Sequence, residues 1–222
     1  MRKYFYIGAV MATALIAVLP ATAAEAAPVH VLTIGKVGGR AVAPGAVLKA
    51  GLAPRTAVVF NTTLGKLTCT RSTFTAKVVS NPAKTGTAAT AKELITAQTF
   101  SSCTISVRGV AIKSITVVNL PYNATVSDAR GFPVRISGRS RVKPLEITVT
   151  VKVGTGTPFS CSVKAASIAG HASNKGNVVS FVKQKFVKAA GGIFCPASGT
   201  FSATWGPVRD TSVRGNPAVF VN

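Results

Sequence analysis

An all-β fold is the first prediction this chain makes, and three observations carry it. The segment from Ile147 to Val153 alternates strictly, Ile147, Val149, Val151 and Val153 against Thr148, Thr150 and Lys152, which is the period of a strand with one apolar and one wet face. Threonine and valine recur throughout, while the Leu/Glu/Lys periodicity of long helices is missing. Twenty glycines and twelve prolines break the chain into short runs. Many short strands punctuated in this way predict a β-sandwich, Ig-like or related, with few or no helices after the leader.

The elements follow in order. Val29 to Ile34 reads as a strand, with turns at Gly38-Gly39 and Pro44-Gly45. Ala57 to Phe60 is the next β-rich run, and Asn81-Pro82 marks a turn. Ala88 to Thr99 is the one stretch whose composition suits a short helix. Ser114 to Asn119 returns to strand, Asp128 to Pro133 forms a turn, and the alternating Ile147 strand ends at the turn Gly154 to Pro158. Val178 to Val182 follows the polar turn Asn174 to Asn177, Gly191-Gly192 breaks the chain again, and Ala218 to Val221 closes it.

Four cysteines organise these elements. Cys69 precedes Cys103 by the same interval that separates Cys161 from Cys195. Each first cysteine follows a strand, a glycine-containing turn and a short strand; each second one follows a phenylalanine-bearing segment, Gln98-Thr99-Phe100 or Lys185-Phe186-Val187. Four cysteines allow three pairings. The repeat favours Cys69–Cys103 and Cys161–Cys195, one staple inside each of two β-units, residues 27–132 and 133–222, packed as one domain or two. Metal-binding cysteines come in close pairs, and these do not.

Residues 1–26 read as a secretory signal peptide. Arg2 and Lys3 begin it, an apolar stretch runs from Tyr4 to Leu19, and Ala24-Glu25-Ala26 has the form of a cleavage site. No later apolar run is long enough to span a bilayer as a helix. An exported chain keeps its disulfides. The whole chain carries a formal +21; the leader accounts for +1 of it through Arg2, Lys3 and Glu25, which leaves +20 on residues 27–222. Such a surface attracts polyanions with a strength that falls as salt rises.

The residues an enzyme uses are scarce. His30 lies near the start of the processed chain and His171 in a turn-like run, with no G-x-S-x-G elbow to pair with either. The carboxylates beyond the leader are Glu93, Asp128, Glu146 and Asp210. No metal-binding, calcium-loop or phosphate-loop motif occurs. The sequence therefore predicts no catalytic residues, no cofactor and no metal.

One charge pattern rises above this background. Arg135, Arg139, Arg141 and Lys143 share parity, so a continuous strand from Val134 to Lys143 would present them on one face, about 6.6 Å apart per step, with Val134, Ile136 and Val142 facing the core. Such a row would track a linear anionic polymer. A second cluster, Lys183, Lys185 and Lys188 around Phe181 and Phe186, fails the test of strict alternation, because Phe181 and Lys183 share parity. Aromatic residues for stacking nucleic-acid bases are few.

The segments Ala41-Val42-Ala43-Pro44-Gly45, Phe74-Thr75-Ala76, Ser80-Asn81-Pro82, Thr99-Phe100-Ser101-Ser102-Cys103, Asn119-Leu120-Pro121-Tyr122 and Cys195-Pro196-Ala197-Ser198-Gly199 give the chain a texture. It resembles a group of secreted, Streptomyces-type actinobacterial all-β proteins with two disulfides, most without an assigned activity. The resemblance covers most of the chain after the leader and implies a scaffold, not a reaction. In architecture alone the chain is also similar to chromophore carriers of the neocarzinostatin type. The expectation is a secreted, non-enzymatic β-protein whose basic face (Arg135, Arg139, Arg141, Lys143) binds an anionic cell-wall polymer or other extracellular polyanion, with no specific nucleic acid as partner. The alternatives are a small-molecule carrier with an apolar cleft between the β-units, and a protease inhibitor presenting a loop such as Ala189 to Ile193.

Overall fold

The computed structural model describes residues 28–86 and 88–222; the expected leader lies outside the described residues. Sixteen strands account for all the regular structure described. They are β1 (Leu32–Ile34), β2 (Arg40–Ala41), β3 (Val47–Gly51), β4 (Val58–Thr62), β5 (Gly65–Ser80), β6 (Thr90–Ile105), β7 (Val110–Val118) and β8 (Tyr122–Ser127), then β9 (Pro133–Ser137), β10 (Leu145–Val153), β11 (Phe159–Ala165), β12 (Ser167–Ser173), β13 (Val178–Ala190), β14 (Ser198–Trp205), β15 (Arg209–Asp210) and β16 (Val219–Val221). The stretch expected to be a short helix is the first half of β6. There Ala91, Glu93 and Ile95 are buried while Thr90, Lys92 and Thr96 are exposed, a period of two that the helix-tolerant composition concealed.

The all-β prediction holds, but the sandwich does not. Eight antiparallel strands close into a barrel in the order β12-β9-β8-β6-β5-β4-β14-β13, and β13 returns to β12. The closing ladder pairs His171 with Ser180, Ala172 with Val179 and Ser173 with Val178. Alternating inward and outward side chains serve a sandwich and a barrel equally well, so the pattern that predicted the sandwich carried no information about closure. Ladders also join strands across residue 132, at β8–β9, β4–β14 and β7–β10.

Closure depends on close backbone approach and on bends. A Cβ on Gly170 would lie 2.2 Å from the Ser180 carbonyl oxygen and 2.7 Å from the Phe181 ring, so only glycine lets β12 settle against β13. Between Phe181 and Gln184 the β13–β14 register shifts, and Lys183 sits at φ 49°, in the left-handed region. Such a bulge inserts a residue and bends the strand. It explains how Phe181 and Phe186, five positions apart, are both buried.

That bend forks the sheet. Before it β13 pairs with β12 in the barrel; after it β13 pairs with β11, which continues to β10 and β7. β11 and β12 are themselves one run broken only at Ala166, so one half serves each branch. The long strands β5 and β6 extend beyond the barrel beside β4. The outer branch β7-β10-β11 therefore stands opposite β4, β5 and the second half of β6. A separate sheet, β16-β1-β2, packs Leu32, Ile34, Val219 and Val221 into the same core. Asn81 ties this sheet down: its side chain accepts from the Leu32 N–H of the central strand at 2.8 Å and donates to the Leu32 and Val42 carbonyls.

Aromatic rings fill the junction between barrel and branch. Phe60 lies 5.8 Å from Phe100, 6.2 Å from Phe186 and 5.2 Å from Phe201, centroid to centroid. Phe201 leads on to Trp205, which meets Phe74 and Phe181 edge to face. Each such pair contributes about 0.5–1.5 kcal/mol beyond the area it buries.

Candidate functional site

The space between the outer branch and the β4-β5-β6 wall is a cleft of about 580 Å³, within the range of roughly 300–1,000 Å³ that small-molecule pockets occupy. One wall is β10, whose apolar face lines it from Ile147 through Val149 and Val151 to Val153. Phe159, Cys161 and Val163 of β11 continue that wall. Leu67 and Ile105 stand opposite, and Phe60 and Phe186 form the inner end. Among the described residues that line it none is ionisable, since Cys161 is held in a disulfide. Four connections frame the open end: β4–β5, β6–β7, β10–β11 and the loop between β13 and β14.

The rim is apolar and exposed. Ile193 is 88% and Phe194 73% accessible, with Leu64 and Val153 about half exposed beside the same cleft. Isolated apolar side chains on a surface need no explanation, but several gathered at the mouth of an apolar cleft mark a binding surface. The loop that carries Ile193 and Phe194 is pinned by Cys161–Cys195, and the rings of Phe194 and Phe159 lie 6.3 Å apart. Gly191 permits the tether: its φ is 116°, and a Cβ there would sit 2.3 Å from Cys195 Sγ.

Both disulfides pair as the repeat predicted, each across 34 residues. Cys69 and Cys103 are direct partners in the β5–β6 ladder, with Cα atoms 4.0 Å apart. That staple braces the wall facing β10, while Cys161–Cys195 fixes the rim.

A second, smaller cavity of about 170 Å³ runs through the barrel. Phe60, Ile147, Val163 and Phe186 line both spaces, so these four side chains are the partition between them. Glu93 lines the barrel cavity. It is 8% exposed, sits between Val78 of β5 and Ala124 of β8 in the ladders, and has no hydrogen-bond or ion-pair partner among the described residues. Burial alone pushes its carboxyl from 4.5 up to about 7.

The basic row does not form as one face. β9 ends at Ser137, and the chain turns back on itself where Ser140 bridges Lys143. Arg135 lies on β9, Arg139 beyond its end, Arg141 at the turn tip and Lys143 on the return; all four are exposed. Val142, expected in the core, is 85% exposed at the tip. The physical cause is the fork. Residues 138–144 carry the chain from a barrel strand to the outer branch, and a continuous strand cannot do that. A Cβ on Gly138 would lie 2.2 Å from the Lys143 carbonyl oxygen, so glycine is needed where the two limbs of this turn meet.

Of the other sequence candidates, Glu146, Lys185, Phe181 and Phe186 line the barrel cavity, whereas neither histidine lines either cavity. His171 is exposed on β12 and His30 forms an isolated bridge with Ala83. Among the described residues no group of three or more His, Cys, Asp or Glu side chains is placed to hold a metal, and no helix is long and apolar enough to cross a membrane. Of the loop Ala189 to Ile193, Ile193 belongs to the cleft rim. The sequence marks the Ile147 strand only as one with an apolar and a wet face, and Glu93 only as one acid among four. The parity of Ala91, Glu93 and Ile95 was the available signal for the latter.

No protein-family model, curated protein or solved structure matches this chain.

Proposed function

We propose that this protein is a non-enzymatic binder or carrier of an apolar small molecule held in the cleft between the outer branch and the β4-β5-β6 wall. The observation that carries the reading is the cleft itself: about 580 Å³, without an ionisable lining side chain, opening between exposed Ile193 and Phe194. A folded chain gains by filling such space with its own side chains. Two disulfides spent on its wall and rim support a preformed site, which reduces the ordering cost of binding. The high net charge adds salt-dependent adhesion to polyanions; it keeps the carrier at an anionic surface and is a property of the whole molecule.

The test is titration of the purified, disulfide-intact protein with N-phenyl-1-naphthylamine, an uncharged probe that brightens in apolar surroundings. One saturable site, insensitive to salt, and competed by octane is expected. Absence of saturable binding, or binding abolished by moderate salt, would overturn the reading.

A further inference from the structure

Beyond the leader the chain has four carboxylates, and three of them are partnered. Asp128 accepts from the Ala89 N–H at 2.7 Å and lies 3.9 Å from Lys84 Nζ. Asp210 accepts from the Ser212 N–H at 2.9 Å, and Glu146 accepts from Asn119 Nδ2 at 3.4 Å. Glu93 and Glu146 both line the barrel cavity, and among the described residues Glu93 alone of the four has no partner. Its ladder neighbours are Val78 and Ala124, and its neighbours on the inward face of β6 are Ala91 and Ile95. A carboxyl in such surroundings is disfavoured unless something hydrogen-bonds to it.

The cavity is large enough to supply that partner. At about 170 Å³ it exceeds the ~150 Å³ of an engineered apolar cavity that takes up benzene. It adjoins the cleft through the partition of Phe60, Ile147, Val163 and Phe186.

We propose that Glu93 is the polar anchor of the binding site, accepting a hydrogen bond from the hydroxyl or amine head of a ligand whose apolar body extends toward the cleft. The inference rests on the carrier reading and names its ligand class: an apolar molecule with a single donor group. Glu93 supplies selectivity, because a site with an unpaired acceptor rejects an isostere that lacks the donor. The walls supply affinity without regard to the head.

The test uses 1-octanol, octylamine and octane, read by the fluorescence of Trp205, the chain's one tryptophan, which lines the same cavity. Wild type is expected to bind octanol and octylamine about tenfold or more tighter than octane. Glu93→Leu should collapse that preference to about threefold or less while octane binds as before. Glu93→Gln should retain the octanol preference in part and lose that for octylamine. The melting temperature of Glu93→Leu should rise or stay level, since no native partner is lost. Three ligands that bind with the same ratios to wild type and Glu93→Leu overturn the Glu93 assignment alone, as does a lowered melting temperature in Glu93→Leu. Failure of all three to bind wild type overturns the carrier reading with it.

Discussion

The indole N–H of Trp205 donates a 3.1 Å hydrogen bond to the hydroxyl of Ser72, a residue 133 positions earlier in the chain. Ser72 also accepts from Gln98 Nε2 at 2.9 Å and donates to the Thr99 carbonyl at 2.6 Å. One small side chain therefore joins β5, β6 and β14 inside the barrel. Ser72→Ala leaves the buried Trp205 N–H and the half-buried Gln98 amide without this acceptor and is expected to cost about 1–3 kcal/mol. Denaturant unfolding followed by Trp205 emission measures the loss.

Val149 faces the cleft from the middle of β10, between Ile115 and Cys161 in the ladders. Val149→Trp places a large ring in space that no described side chain fills. Overpacking a filled core destabilises by about 1–3 kcal/mol; here the melting temperature should stay close to wild type. Affinity for an uncharged apolar probe should fall about tenfold or more, and a fluorescence titration decides it.

The two disulfides should separate by function. Each closes a loop of similar length, and the chain-entropy model gives about 4 kcal/mol for either. Cys69→Ser with Cys103→Ser lowers stability and leaves the rim loop in place. Cys161→Ser with Cys195→Ser lowers stability by a similar amount and also frees the loop of Ile193 and Phe194, so ligand dissociation should quicken only in that variant. Stopped-flow displacement beside thermal melts tests the pair.

Glu93 makes stability depend on pH in a defined direction. Its folded-state value, about 7, lies above the 4.5 of an unperturbed carboxyl. The folded state holds the proton more tightly, so this group's contribution is most favourable below about 4.5 and is lost as pH rises to about 7. The full shift corresponds to roughly 3 kcal/mol, at about 1.4 kcal/mol per pH unit. Relative to wild type, Glu93→Gln should gain stability across that window and run parallel to it above. Melting temperatures of both proteins from pH 4 to 8 supply the comparison.

Gly170 sits where β12 closes on β13. With a Cβ only 2.2 Å from the Ser180 carbonyl oxygen, Gly170→Ala must force the closing ladder apart. A loss of about 3 kcal/mol or more is expected, with hydrogen exchange rising first at residues 171–173 and 178–180.

Strand segments were legible where alternation was uninterrupted. Ile147 to Val153 read correctly as a strand with one apolar face, and the turns at Gly154 to Pro158 and Asn174 to Asn177 fell where the structure has them. The equal cysteine spacing pointed to both disulfides, although Cys103 lies on β6 opposite Cys69 and Cys195 lies in the loop between β13 and β14. Parity failed wherever the chain bulges or turns. Phe181 and Phe186 look incompatible until Lys183 adopts a positive φ, and the basic row from Arg135 to Lys143 looks continuous until the fork breaks it at Gly138.

Composition and alternation thus established an all-β chain with two staples, a basic surface and few side chains for catalysis, because each is a property of residue type and near neighbours. Barrel closure, the forked outer branch and the cleft were decided by tertiary structure. They arise from contacts between residues far apart in sequence: Ala172 with Val179 across the closing hairpin, Glu146 with Val118, Thr200 with Asn61. The apolar face of β10 has the same sequence whether it meets a packed core or lines a cleft. Only the position of the opposing strands distinguishes the two, and the same is true of Glu93, which finds no partner across the barrel among the described residues.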